Sequence, residues 1–293
     1  MNESVITVIM PTYNRAEFIV LAIESVLAQN FKRWTLLVID DGSTDNTKEA
    51  ISHLLVDKRI NYLYQENQGQ SIARNLGLKL ATTKWICFLD SDNLWPIEKL
   101  HQCLLASNDH PVADVIYGDV INIDVDGNEI SRNKMRRYSG RITAPLLRDN
   151  FITINTVMVK KVCFDRLGGF NAFDRVAEDY ELWLRLSTQF NFTHVPKFLA
   201  FYRVMKNQIS SDKDARFLAN LQILKNFKCQ YPKAVTWYSW RSGFSAFYAR
   251  RAGYQSAQHD YTSAFLSLSL ALIHNPFWLG PWRILVKIVL GKY

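Results

Sequence analysis

Through residues 5–89, short apolar runs alternate with stretches of helical spacing. Val5–Met10 (VITVIM), Thr35–Ile39, Ile60–Tyr64 and Trp85–Leu89 are apolar or β-branched runs of strand length, each broken by polar or turn-forming residues. Between the first two, Ile19, Ile23, Val26 and Leu27 recur at helical spacing. After the second comes a polar loop, Asp40–Thr47, in which Ser43 or Thr44 would cap a helix running to about Leu55. After the third, Ile72, Leu76 and Leu80 give the next helix an apolar face. The resulting β-α-β-α-β-α-β order predicts an α/β fold, a mostly parallel sheet flanked by helices. Each strand ends in polar residues, and those ends should line one crevice, the place where open α/β sheets bind ligands.

Beyond Asp92 the pattern predicts a helix around Pro96–Ser107, a strand at Asp114–Tyr117 and a hairpin turn within Asp124–Gly127. Arg132–Arg141 is basic and poor in apolar residues, and is expected to be a mobile loop. Thr153–Val159 is β-prone, and Gly168–Asn171 is a turn. Leu182, Leu186 and Phe190 then mark a helix that starts near Val176, and Lys197–Tyr202 reads as a strand. From there the pattern turns helical, over Ala215–Phe227, Thr236–Ala252 and Ala257–His274. A boundary near Met205 therefore separates an α/β domain, 1–205, from a basic, aromatic-rich helical extension, 206–293.

Charge sharpens that division. Net charge is +8, but from Phe201 onward there are 13 Lys and Arg against 3 Asp and Glu, a net of +10, while 1–200 carry −2. Such a bias suits an anionic partner, nucleic acid or a membrane surface. No nucleic-acid recognition motif appears, so the membrane surface is the retained expectation. Phe277–Tyr293 mixes Trp278 and Trp282 with Arg283 and Lys287 and lacks the ~20 apolar residues that span a bilayer, but suits the headgroup plane. The four cysteines are far apart, with no C-x-x-C, which fits a reducing compartment. No signal-peptide pattern opens the chain, so a cytoplasmic protein, peripheral at the inner membrane face, is expected.

Candidate chemistry centres on Ile86–Asn93 (ICFLDSDN), where a buried run delivers Asp90 and Asp92 at a strand's end. Two carboxylates so close repel unless a cation or donors lie between them. Mg²⁺ or Mn²⁺ takes such oxygen ligands and adds phosphate oxygens from a substrate. Neither glycine-rich phosphate loop occurs, so phosphate must be held otherwise. Asp179 shares a helix face with Leu182, Trp183 and Leu186 and should point inward, where the helix dipole favours an ionised carboxylate. Plainer roles stand beside these. Asp40 and Asp41 would serve as caps, Glu178 and Asp179 as ordinary first-turn acids, Arg74 as a solvated helix residue and Trp183 as core. The six histidines share no metal-ligand spacing.

Five segments together resemble the inverting family 2 glycosyltransferases of the GT-A fold: VIMPTYNR at Val8–Arg15, DDGSTDNT at Asp40–Thr47, NQGQSIARN at Asn67–Asn75, FLDSDN at Phe88–Asn93, and GGFN…EDYELWLRL from Gly168 to Leu186. Order and spacing fit over residues 4–205. The resemblance implies a nucleotide-sugar donor, with its base against Pro11, Thr12 and Tyr13 and hydrogen-bonded by Asp40. It places Asn14 and Ser91 in the same donor site, Arg74 toward the diphosphate or base, Asp90 on the ribose and Asp92 on the divalent metal. It makes Asp179 the general base and puts Glu178, Gly169 and Trp183 on the acceptor side. The acceptor would be a glycan or lipid-linked saccharide, and no nucleic acid is expected as partner. In one respect the chain departs from the family: Met205 stands where a metal-reaching histidine is usual, and a thioether is a poor ligand for a hard cation. Either Asp92 and the diphosphate hold the metal, or Lys206 supplies charge instead. Two other readings remain, a sugar-nucleotidyltransferase and a non-catalytic nucleotide- or glycan-binding scaffold.

Overall fold

The structure is a computed structural model that describes residues 4–132, 136–172, 176–205 and 212–290. In chain order the elements are β1 (Ile6–Thr12), α1 (Ile19–Leu27), β2 (Trp34–Asp41), α2 (Thr47–Ile51), β3 (Ile60–Gln65), α3 (Gln70–Leu80), β4 (Trp85–Phe88), α4 (Lys99–Asp109), β5 (Val115–Ile123) and β6 (Glu129–Arg132). There follow α5 (Thr143–Arg148), β7 (Met158–Lys160), α6 (Lys161–Leu167), α7 (Glu178–Ser187), β8 (Phe192–Arg203), α8 (Lys213–Gln230), α9 (Trp237–Ala257), α10 (Tyr261–His274) and α11 (Leu279–Val289). Two compact units share the chain: Met1–Gly140 with Ile152–Asp212, and Arg141–Phe151 with Lys213–Tyr293.

The first unit is built on one sheet of order β3-β2-β1-β4-β7-β5-β6, with β8 paired to β5. All of β1 is buried, as its unbroken apolar run requires for a central strand covered on both faces. β2 and β4 flank it in parallel, and Thr12 stands opposite Asp40. β7 runs antiparallel to both β4 and β5, and β6 is antiparallel to β5, so the expected mostly parallel sheet carries antiparallel members toward one side. β8 is longer than its apolar pattern indicated and lies parallel to β5. Lys99, at the start of α4, is fully buried; it donates to the Val157 carbonyl at 3.1 Å and lies 3.9 Å from the Trp95 ring centre.

Three local expectations need correction. Neither Ser43 nor Thr44 caps α2, which begins at Thr47 and is short. The Ser43 hydroxyl instead accepts from the Asn14 amide at 2.9 Å, and the Thr44 amide donates to Asn14 Oδ1 at 2.8 Å. The buried face of α3 is Ser71, Ala73, Arg74, Gly77 and Leu78, whereas Ile72 and Leu76 are half-buried and Leu80 is 42% exposed. Small residues let this helix approach the sheet closely: a Cβ on Gly77 would lie 2.5 Å from Ile9 Cγ2. Finally, much of the 132–141 stretch is pinned in place. Arg137 Nε donates to Asp119 Oδ1 at 2.8 Å, the Tyr138 amide donates to the Tyr117 hydroxyl, and Gly140 bridges Phe192. Residues 133–135 lie outside the described residues. Its polar side chains have specific partners on β5 and β8, which composition alone does not reveal.

In the second unit, α5 packs on α9, where a Cβ on Gly243 would meet Leu147 Cβ at 2.7 Å. α9 and α10 pack through small residues, with the Ser245 hydroxyl donating to the Ala271 carbonyl at 2.8 Å. Thr236 caps α9 and Asp260 caps α10 through side-chain oxygens. Among the described residues no helix is long and apolar enough to cross a membrane.

Candidate active site

The ends of β1 and β2 are tied together by hydrogen bonds. Asn14 takes a left-handed conformation at φ 51°, which asparagine tolerates better than most residues, and its Oδ1 accepts from the amides of Thr44 and Asp45. The Arg15 amide donates to Thr47 Oγ1 at 3.0 Å. Asp40 accepts the Ser43 amide at 2.8 Å on one oxygen and the Tyr62 hydroxyl at 2.6 Å on the other. Each oxygen retains a further lone pair for a ligand. Asp41 organises the loop ahead of α3 by accepting from Gln65 Nε2 and from the amides of Gln68 and Gly69. Pro11 and Thr12 are buried, and Tyr13 is 45% exposed. The Thr12 hydroxyl is buried without a hydrogen-bond partner among the described residues, which is costly unless a ligand supplies one.

Arg74 is fully buried and joins distant parts of the chain. Its Nη2 donates to Asp90 Oδ1 at 2.7 Å, its Nη1 to Glu178 Oε1 at 2.5 Å, and the Phe170 ring lies 5.3 Å from the guanidinium carbon. Gln70 Nε2 also donates to Glu178, at 2.8 Å. The two carboxylates keep the guanidinium charged against the cost of burial. Asp90 has a second partner in Asn155, which accepts from the Asp90 amide at 2.7 Å and donates to its Oδ2 at 2.9 Å. Arg74 thus faces protein carboxylates, and Glu178 is buried in that network. Gly169 fits closely against Asn75, whose Oδ1 would lie 2.2 Å from an added Cβ. Trp183 is fully buried and offers no ring face to an acceptor sugar.

Asp92 lies beyond this network on the β4–α4 loop. Burial, and next the neighbouring Asp90, push its carboxyl up to about 6, against the pull of Arg15, whose Nε is 3.6 Å from Asp92 Oδ2. Ser91 is buried. Asn93 Oδ1 accepts from the Arg203 amide at 2.7 Å, and Arg203 Nε donates to the Asp92 carbonyl at 3.0 Å. The same guanidinium reaches the carbonyls of Asp124 and Val125. It therefore ties this acidic loop to the β5–β6 turn. Met205 is half-buried, and Lys206 lies outside the described residues.

Among the described residues no group of three His, Cys, Asp or Glu stands ready for a metal. Both Asp90 oxygens have protein donors, whereas among the described residues the cation facing Asp92 is Arg15, whose Nε lies 3.6 Å from it. That donor set fits a hard cation that keeps one carboxylate and takes its other ligands from a diphosphate and water.

Asp179 is half-buried in the first turn of α7, beside Glu178, and Ala177 before it is left-handed at φ 62°. Asn155 and Arg203 are among the residues of this site that carry no function in the sequence reading. Asn155 gives no signal in its apolar surroundings. Arg203 gives a faint one, as a charge at the end of an apolar strand.

Comparison with known proteins places this geometry. The family described as glycosyl transferase family 2 matches residues 7–180. An uncharacterized glycosyltransferase of Rickettsia felis is 34% identical over 209 residues, 70% of this chain. The chain spans 34% of that relative's own length. Escherichia coli UDP-Glc:alpha-D-GlcNAc-diphosphoundecaprenol beta-1,3-glucosyltransferase WfgD is 30% identical over 232 residues, 78% of this chain and 88% of WfgD. The mannosyltransferase PcManGT of Pyrobaculum calidifontis, solved with GDP-Man and Mn²⁺, shares the fold at a TM-score of 0.64 and 18% identity, over 100% of this chain and 82% of that one. With its GT-A fold and its matched segments, the chain belongs to glycosyl transferase family 2.

Proposed function

We propose that the protein transfers a sugar from a nucleoside-diphosphate sugar, a UDP-sugar in the first instance, to a hydroxyl of a glycan or lipid-linked saccharide at the inner face of the cell membrane. The observation that carries this reading is the Arg74 bridge. One guanidinium fixes Asp90, at the end of β4, to Glu178, the neighbour of Asp179 on α7. Asp90 and the helix that carries the candidate base are thereby held in one frame. Likeness to WfgD supports the UDP-sugar and the lipid-linked acceptor, and likeness in fold to PcManGT supports a divalent metal.

In this reading Thr12, Asp40 and the exposed Tyr13 ring take the nucleoside. The acceptor hydroxyl attacks the anomeric carbon from the face opposite the diphosphate, and Asp179 removes its proton as the new C–O bond forms. The bond to the diphosphate oxygen breaks with its electron pair leaving on that oxygen, so configuration inverts and no covalent enzyme intermediate arises. A divalent cation held by Asp92 and the diphosphate would neutralise charge on the leaving group. A scaffold without turnover is the second reading, favoured by Met205 at a position where the family's histidine would meet the metal.

Calorimetric titration of UDP, GDP and dTDP into the protein, with Mn²⁺ and then with EDTA, tests the proposal. Expected is micromolar UDP binding that Mn²⁺ strengthens; absence of binding by any nucleotide overturns it. Tight UDP binding without UDP release from any UDP-sugar and acceptor would favour the scaffold.

A further inference from the structure

α11 packs against α9 and α10, burying Pro281 and Ile288. Its outer side is apolar. Leu279, Trp282, Val286, Val289 and Leu290 are all exposed. At about 100° per residue these five fall within an arc of about 100°. Arg283 and Lys287 follow on one border of that arc, and both are exposed. The turn into α11 carries Phe277, 93% exposed, and the last turn of α10 carries exposed Ile273. Arg241 links this end of the hairpin to α9: its guanidinium donates to the Ile273 carbonyl and lies 4.8 Å from the ring centre of exposed Trp237. The indole of Trp282 already has its hydrogen bond, to the Pro276 carbonyl at 2.7 Å, so its ring enters an apolar layer without an unmet donor.

The geometry points to a membrane-docking face. We infer that the outer arc of α11, with Phe277 and Ile273, lies flat in the headgroup layer of an anionic phospholipid bilayer, its arginine and lysine reaching up to lipid phosphates. Charge selects this occupant. Neither α10 nor α11 contains an Asp or Glu, and the chain from Phe201 onward is +10, so a second copy of the same face would be repelled. An apolar arc bordered by bases on a helix too short to span is the form of interfacial helices. For its purpose the inference rests on the lipid-linked acceptor proposed above, although its physical basis does not use the donor site.

The test is co-sedimentation of the full chain with vesicles of phosphatidylcholine, alone or mixed with phosphatidylglycerol, in low and high salt. The wild type should pellet with the mixed vesicles and be released by salt. Trp282→Ser with Val286→Ser should weaken that partitioning roughly tenfold, through loss of buried apolar area. Arg283→Gln with Lys287→Gln should remove the preference for phosphatidylglycerol. All these positions are exposed, so UDP affinity should be unchanged in both variants and reports an intact fold. A wild type that stays in the supernatant, a serine variant that still pellets, or a concentration-dependent dimer that the serine variant abolishes would each overturn the inference. Loss of UDP binding by the wild type would instead count against the donor reading.

Discussion

At the scale of single residues, burial and pairing set the roles. Arg74 and Glu178 are both shielded from water, and removing one member of such a pair costs about 3–5 kcal/mol, because its partner is left charged and alone. Arg15 and Asp92, 3.6 Å apart and more open, belong to the class of pairs worth about 0–1 kcal/mol. The first pair is therefore architecture, and the second is loose enough to yield to a diphosphate and its cation. Asp179, half-buried in the first turn of α7, keeps the partial access to solvent that a group exchanging a proton with a substrate needs. Replacing it, Asp179→Asn, should leave UDP affinity unchanged while turnover falls by about 10²–10⁴-fold, the usual worth of a general base. Steady-state rates alongside calorimetry check this, and unchanged turnover would remove Asp179 from the chemistry. The placement of Asp90 and Asp92 just after β4 was legible in the sequence, because the apolar run before them has strand length. Asn155 was not, since one amide among apolar residues reveals its partner only once the chain is folded.

At the scale of elements, strands declared themselves better than helix faces did. β1 and β2 are buried on both sides, so their runs are unbroken and need no phase. α3 misleads because its inward face was chosen by fit as well as by hydrophobicity: Arg74 turns in to meet two acids, and Gly77 turns in because nothing larger fits over Ile9. Leucine and isoleucine spacing therefore marked the flank of the buried face, where Ile72 and Leu76 are half-buried, rather than its centre. Gly77→Ala should accordingly destabilise the protein by about 1–3 kcal/mol, although alanine is the better helix former, because overpacking outweighs the propensity gain of about 1 kcal/mol. A melting temperature at or above that of the wild type would show that the helix can shift outward at no cost. The 132–141 stretch misled in the opposite direction. Its basic composition suggested slackness, but Arg137 and Tyr138 have partners on β5 that lie far away in sequence.

At the scale of the whole molecule, the uneven charge was legible, and so was the switch from alternating elements to helices. The excursion of residues 141–151 into the second unit was not, because a six-residue helix leaves no periodic signature and its partner, α9, begins only at Trp237. A chain ending at Met205 would keep every matched segment but leave Leu146 and Leu147 of α5, both buried here, with no helical unit to cover them. Such a fragment should self-associate, read as a shift to larger species in size-exclusion chromatography, and Leu146→Ser with Leu147→Ser should return it to monomer. The same threading sets an order of events on the ribosome. The strands of the first unit can assemble as β7 and β8 emerge, but α5, made before either, must wait for nearly a hundred further residues before α9 appears. From the emergence of β8 until that of α9 the nascent protein holds a finished sheet and an unclaimed greasy helix, a window in which a chaperone or the bilayer itself is the nearest shelter.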